Sequence, residues 1–160
     1  MNYIKDQKEL NGKIVLLRLD LNVPLKNGKI TDENRINKIL PIFKYLIEKK
    51  SKIVVISHIG RPKGKRVDEL SLRPICESVK QKLGKKIKLI TDDIHKLNKE
   101  KLFDDSKDQI IFLENIRFYE GEEINDINFS EKLASLGDLF VNDAFSCSHR
   151  AHASVTEITK

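Results

Sequence analysis

The sequence predicts an α/β fold, a doubly wound, mainly parallel sheet with helices on both faces. Short apolar runs recur along the chain, and most do not alternate with polar residues, which is how strands buried on both faces read. Segments with helical periodicity separate several of these runs. The third observation is size: 160 residues, 39% apolar and 34% charged, suit one self-sufficient domain over residues 1–160. Size scaling has such a chain burying about 69% of its unfolded surface, with no need for metal or disulfide staples.

The first strand is Ile14-Val15-Leu16-Leu17. Asn27-Gly28, a pair suited to positive φ, marks a tight turn between Val23 and Ile30. Ile36, Ile39, Leu40, Phe43, Leu46 and Ile47 then recur at helical spacing, with Pro41 inside the pattern predicting a kink or two abutting helices. Ile53-Val54-Val55-Ile56 is the clearest strand. Ser71 reads as the N-cap of a helix carrying Leu72, Ile75, Cys76, Val79 and Leu83, with Gly84 as its stop. Ile87-Lys88-Leu89-Ile90, Ile110-Ile111-Phe112-Leu113 and Leu139-Phe140-Val141 follow as strands. A short helix is expected in the polar connection from Thr91 to Lys107, and a further helix from Ser130 to Leu136, ending at Gly137.

Composition removes several classes of function. No apolar stretch approaches the ~18 residues of a membrane span, and the first residues carry no apolar core or cleavage site of a secretory signal, so a cytoplasmic location is expected. Cys76 and Cys147 form no CxxC pair and read as reduced thiols. The net charge of +6 invites a nucleic-acid partner. The lysines, however, are interleaved with acids as on a solvated surface, and aromatic residues for base stacking make up only 6%. No nucleic acid and no membrane are therefore expected as partners.

In such sheets ligands bind outside the carboxyl ends of the strands. Four strand ends deliver polar groups there: Arg18 to Pro24, Ser57 to Pro62, Glu114 to Phe118, and Asn142 onward to His149-Arg150-Ala151-His152. Arg61, Arg117 and Arg150 all fall just past a strand, and Arg35 opens the first helix, where it can reach the same edge. Guanidinium forks pair bidentately with planar oxyanions and stay charged, so a phosphate or carboxylate site is inferred. His58, beside Gly60, either donates to that oxyanion or caps a loop. Asp20 and Asn22 orient hydroxyl groups, hold arginines or simply make a turn. Glu114 and Asn115 read as loop supports. His149 and His152 lack a third ligand at metal spacing, so no metal site is expected. Gly60 to Arg66 is no P-loop: it has three residues between its glycines, and Arg66 stands where Ser or Thr would bind magnesium.

Together these blocks resemble the amino-terminal domain of the phosphoglycerate kinase family. The matching stretches are RLDLNVP (residues 18–24), DENRI (32–36), SHIGRP (57–62), Leu72-Arg73-Pro74, ENIRF (114–118) and NDAFSCSHRAHAS (142–154), in family order with family-like spacing. The resemblance implies a Rossmann-like three-layer domain. It also implies phosphoryl transfer between 1,3-bisphosphoglycerate and ADP, giving 3-phosphoglycerate and MgATP. Asp20 and Asn22 would contact the glycerate. His58, Arg61, Arg117 and Arg150 would cradle the non-transferred phosphate, Gly60 would let the backbone approach, and Arg35 would be the catalytic arginine.

Two departures stand out. Ser146-Cys147-Ser148 occupies the place where the family usually shows Gly-Thr-Ala. The chain is also far shorter than the family's two-domain enzyme. The resemblance then implies no cofactor held by these residues, and MgADP or MgATP entering through a nucleotide domain that the 160 residues do not include. Such a half is expected to bind 3-phosphoglycerate or 1,3-bisphosphoglycerate and to be catalytically incompetent alone. The alternatives are a non-catalytic phosphoglycerate-binding remnant of a split or decaying gene and, with less support, a basic nucleic-acid-binding domain.

Overall fold

The computed structural model describes residues 7, 9–103 and 109–143. The first strand, β1 (Ile14–Leu19), is buried at every position. A two-residue ribbon, β2 (Leu25–Lys26) and β3 (Lys29–Ile30), closes on Asn27 and Gly28 at φ 54° and 73°, the left-handed pair of a type I′ hairpin turn. Helix α1 (Asn34–Glu48) runs unbroken through Pro41, so two abutting helices are not formed. Proline removes the bond that would reach the Asn37 carbonyl. Both residues are exposed, so water can satisfy that carbonyl and the helix continues.

Strand β4 (Lys52–Ile56) leads through a long loop to α2 (Arg73–Leu83), which ends at Gly84 as its sequence indicates. Leu72, not Ser71, stands at the helix cap and has no capping side chain. Ser71 acts from one residue further back, where its Oγ accepts the Arg73 N–H at 3.2 Å. Strand β5 (Ile87–Ile90) follows, and the polar connection holds two single 3₁₀ turns at Ile94–Lys96 and Lys99–Lys101 in place of a helix. After β6 (Ile110–Leu113) come α3 (Glu120–Glu123), unforeseen in the sequence, and α4 (Ile127–Ala134). Helix α4 starts three residues before the predicted Ser130 because the Asp126 carboxylate accepts the Phe129 N–H at 2.8 Å and caps it there. Strand β7 (Leu139–Asp143) completes the described elements.

The five long strands form one parallel sheet in the order β5-β6-β4-β1-β7. Each face is covered. Val15, Leu17 and Leu19 of β1 pack with Ile36, Phe43 and Leu46 of α1 and with Ile75 and Val79 of α2. On the other face Leu16, Val54 and Ile111 pack with Ile94, Leu97, Phe129 and Leu133. Burial of each such side chain contributes roughly 1.5–3 kcal/mol. The sheet is doubly wound as predicted. Helix α2 carries the chain outward from β4 to β5 over one face, and α4 carries it back from β6 to β7 over the other. The neighbouring strands β4 and β6 therefore send their loops in opposite directions, which opens a crevice at their carboxyl ends. Among the described residues no helix is long and apolar enough to cross a membrane.

Candidate functional site

The crevice is built by loops that hydrogen-bond to one another. The Ser57 hydroxyl donates to the Leu19 carbonyl at 2.7 Å and accepts the Leu21 N–H at 3.2 Å, tying the end of β4 to the end of β1. On its other side, the Ser57 carbonyl accepts the Ile116 N–H at 3.0 Å. Glu114 is buried, and its carboxylate accepts the Ser71 hydroxyl and the Leu72 N–H, each at 2.7 Å, and the Asn115 N–H at 2.9 Å. The Asn115 amide donates to the Ile59 and Leu70 carbonyls at 2.8 and 2.9 Å. These two residues support the loops, as their sequence suggests.

Upon that frame stand the candidate ligand contacts. Asp20 accepts from Arg35 Nη1 at 3.0 Å and from the Asn22 N–H at 3.3 Å, while the same guanidinium nitrogen donates to the Asn22 carbonyl at 2.7 Å. Of the readings open for Asp20, holding an arginine and making the turn are both realised. Asn22 Oδ1 accepts the Gly60 N–H at 3.1 Å, and the Gly60 carbonyl accepts from Arg117 Nη1 at 3.3 Å. Residues from the ends of β1, β4 and β6 and from the start of α1 thus form one connected polar edge: Asp20, Asn22, Arg35, Gly60 and Arg117. Gly60 sits at φ +63°, and a Cβ there would lie 2.7 Å from Leu70 Cδ2, so both backbone and space call for glycine.

Arg117 is buried, with its Nε 3.8 Å from Glu123 Oε1. Arg61 is exposed on the same loop as Gly60 and has no hydrogen-bond or ion-pair partner among the described residues. His58 is 3% exposed, with its Nδ1 3.0 Å from Nη2 of Arg18. That arginine is completely buried, and its Nη1 also donates to the Leu19 carbonyl at 2.6 Å. Sequence reasoning passed over Arg18 as a site residue. The signal was available, since a lone guanidinium inside an apolar strand run must find a partner in the fold. At the end of β7, Asn142 stands in register with Arg18, and burial pushes the Asp143 carboxyl up. Arg150, His149 and His152 lie outside the described residues. Among the described residues no three His, Cys, Asp or Glu side chains gather as metal ligands.

The fold and this edge define the class as an α/β domain with an arginine-bearing polar site at the carboxyl end of a parallel sheet. The family model "Phosphoglycerate kinase" matches residues 4–160, and the chain belongs to that family. It is 52% identical over 153 residues to the phosphoglycerate kinase of Wolbachia from Drosophila simulans, covering 95% of this chain and 38% of that protein. To the phosphoglycerate kinase of Dictyoglomus turgidum it is 48% identical, covering 96% and 38%. The solved phosphoglycerate kinase structure from Coxiella burnetii superposes with a TM-score of 0.86 at 39% identity, over 97% of this chain and 38% of the other. The one from Pyrococcus horikoshii gives 0.85 at 31%, over 99% and 40%. The chain thus spans about two fifths of the length of these relatives.

Proposed function

We propose that the whole protein transfers a phosphoryl group between 1,3-bisphosphoglycerate and ADP, and that the residues described here supply the half of the site that holds the acid substrate. The observation that carries this reading is the unbroken run of hydrogen bonds from Arg35 through Asp20, Asn22 and Gly60 to Arg117. It links the Arg35 and Arg117 guanidinium groups, from distant parts of the chain, along one polar edge of the sheet, which supports an anion site there.

In this reading Arg61, Arg117 and Arg150 neutralise the non-transferred phosphate, His58 adds a hydrogen bond, and Asp20 and Asn22 orient the glycerate. The reaction breaks the bond between phosphorus and the acyl oxygen of 1,3-bisphosphoglycerate and forms one to a terminal oxygen of ADP. That oxygen is already ionised, so no proton has to be removed and the site needs no general base. Charge spreads over the migrating group in the transition state, and Arg35 stabilises it there and on the departing carboxylate. The nucleotide enters as its magnesium complex, a substrate. The edge offers guanidinium, imidazole and amide groups, with its one carboxylate, Asp20, already paired with Arg35, a set that suits anions, and no step is assigned to a metal held by it.

Calorimetry of the protein with 3-phosphoglycerate tests the assignment. Arg61→Ala is the cleaner substitution because the side chain is exposed and makes no hydrogen bond or ion pair among the described residues. It and Arg117→Ala should each weaken binding by about 1.5–3 kcal/mol, the range for a lost charge-assisted hydrogen bond. Equal affinity in wild type and both variants would reject the cradle.

A further inference from the structure

We propose that Arg18 is a positioning residue that holds His58 as the neutral imidazole protonated at Nε2, so that His58 serves the site as a hydrogen-bond donor and not as a cation. This deepens the reading above, in which His58 meets the substrate phosphate, and rests on it for its functional consequence.

The geometry is explicit. A guanidinium has N–H donors, no acceptor, and keeps its proton at any pH a protein survives. Arg18 Nη2 lies 3.0 Å from His58 Nδ1, so that contact is a hydrogen bond only if Nδ1 carries a lone pair. A neutral imidazole has one N–H, and with Nδ1 accepting, that N–H is on Nε2. The same cation beside a buried ring opposes protonation, as does burial itself, since His58 is 3% exposed.

Arg18 is itself fixed. It is wholly buried in β1, and its Nη1 donates to the Leu19 carbonyl at 2.6 Å, an acceptor it shares with the Ser57 hydroxyl, so two contacts hold its fork in place. Among the described residues, the charged groups at the ends of the strands packed against β4 make the following contacts. Asp20 pairs with Arg35, Glu114 accepts from Ser71, Leu72 and Asn115, and Arg117 donates to Gly60. Asp143, at the end of β7, lies beyond β1, and burial raises its carboxyl. The consequence for recognition is a division of labour. The arginines provide the charge, and the imidazole provides a directed N–H at Nε2.

The test is the ring nitrogen spectrum of His58 in the ¹⁵N-labelled, ligand-free protein at about pH 6, where an ordinary histidine with a pKa of about 6.5 is mostly protonated. Nδ1 should resonate as an unprotonated nitrogen and Nε2 as a protonated one. A doubly protonated ring, or the opposite tautomer, overturns the proposal. Arg18→Lys, which keeps a cationic donor, should preserve the wild-type pattern. Arg18→Met should let the ring protonate at this pH, and an unchanged pattern in a folded Met variant overturns the proposal. Should the Met variant not fold, the wild-type spectrum decides alone. Because the ring is read without ligand, failure here is separable from failure of 3-phosphoglycerate binding, which would strike the functional reading instead.

Discussion

Gly60 occupies the tightest place in the site. Its N–H reaches Asn22, its carbonyl receives Arg117, its φ is +63°, and Leu70 fills the space where a Cβ would stand. Two separate costs follow for Gly60→Ala: about 1–2 kcal/mol for the left-handed backbone and about 1–3 kcal/mol for overpacking against Leu70. A double-mutant cycle divides them. In a Leu70→Ala background the overpacking disappears and the backbone cost stays, so the Gly60→Ala penalty in urea unfolding should shrink but not vanish. Equal penalties in both backgrounds would show that Leu70 does not limit the position. The motif SHIGRP made Gly60 legible in the sequence. Its neighbour across the loop was not, because Leu70 is ten residues away and nothing local ties the two.

At the scale of elements, the entry to α2 depends on a side chain from another strand. The helix has no capping side chain at Leu72, and Glu114 at the end of β6 accepts the Leu72 N–H in its place. Glu114→Ala leaves that N–H and the Asn115 N–H without a partner in a buried setting and should cost about 3 kcal/mol. Glu114→Gln keeps an oxygen for these donors and should cost far less. Denaturant midpoints of the two variants compare them directly, and similar losses would mean that volume, not acceptance, is what Glu114 contributes. The same contact explains where sequence reasoning succeeds and slips. β1, β4 and β6, buried on both faces, announce themselves as apolar runs, and the partly exposed edge strands β5 and β7 still read as short apolar stretches, so all five strands of the sheet were legible. Helix starts were displaced wherever the true cap was a competing residue: Asp126 in place of Ser130 for α4, and the Ser71–Glu114 pair in place of a simple Ser71 cap for α2. Candidate arginines at strand ends could be read from position alone. For Arg18 the sequence marks only a buried charge in need of a partner; that the partner is His58, forty residues further on, is not local information.

Across the whole molecule, β7 joins the sheet between two carboxylates of opposite effect. At its start, Asp138 accepts the Ile14 N–H at 2.9 Å and pairs with Lys99, linking β7, β1 and the turn after β5. The Ile14 hydrogen bond and then Lys99 hold its carboxyl below the usual value. A carboxyl depressed in the folded state adds stability above its unfolded pKa of about 3.9, and that contribution is lost as pH falls through the lower folded value. At the other end burial raises Asp143, so the sign reverses. The folded state holds that proton more tightly, and its contribution is present below about 3.9 and lost as pH rises through the higher folded value. Asp138→Asn should therefore be destabilising near neutrality, with the deficit closing in acid. Asp143→Asn should gain stability near neutrality, with the gain closing in acid. Urea unfolding of both variants and wild type between about pH 3 and pH 7 measures the two differences. Curves that run parallel to wild type for both variants would mean that neither carboxylate titrates differently on folding. The sheet edge beside Arg18 and the site would then owe nothing to charge at β7.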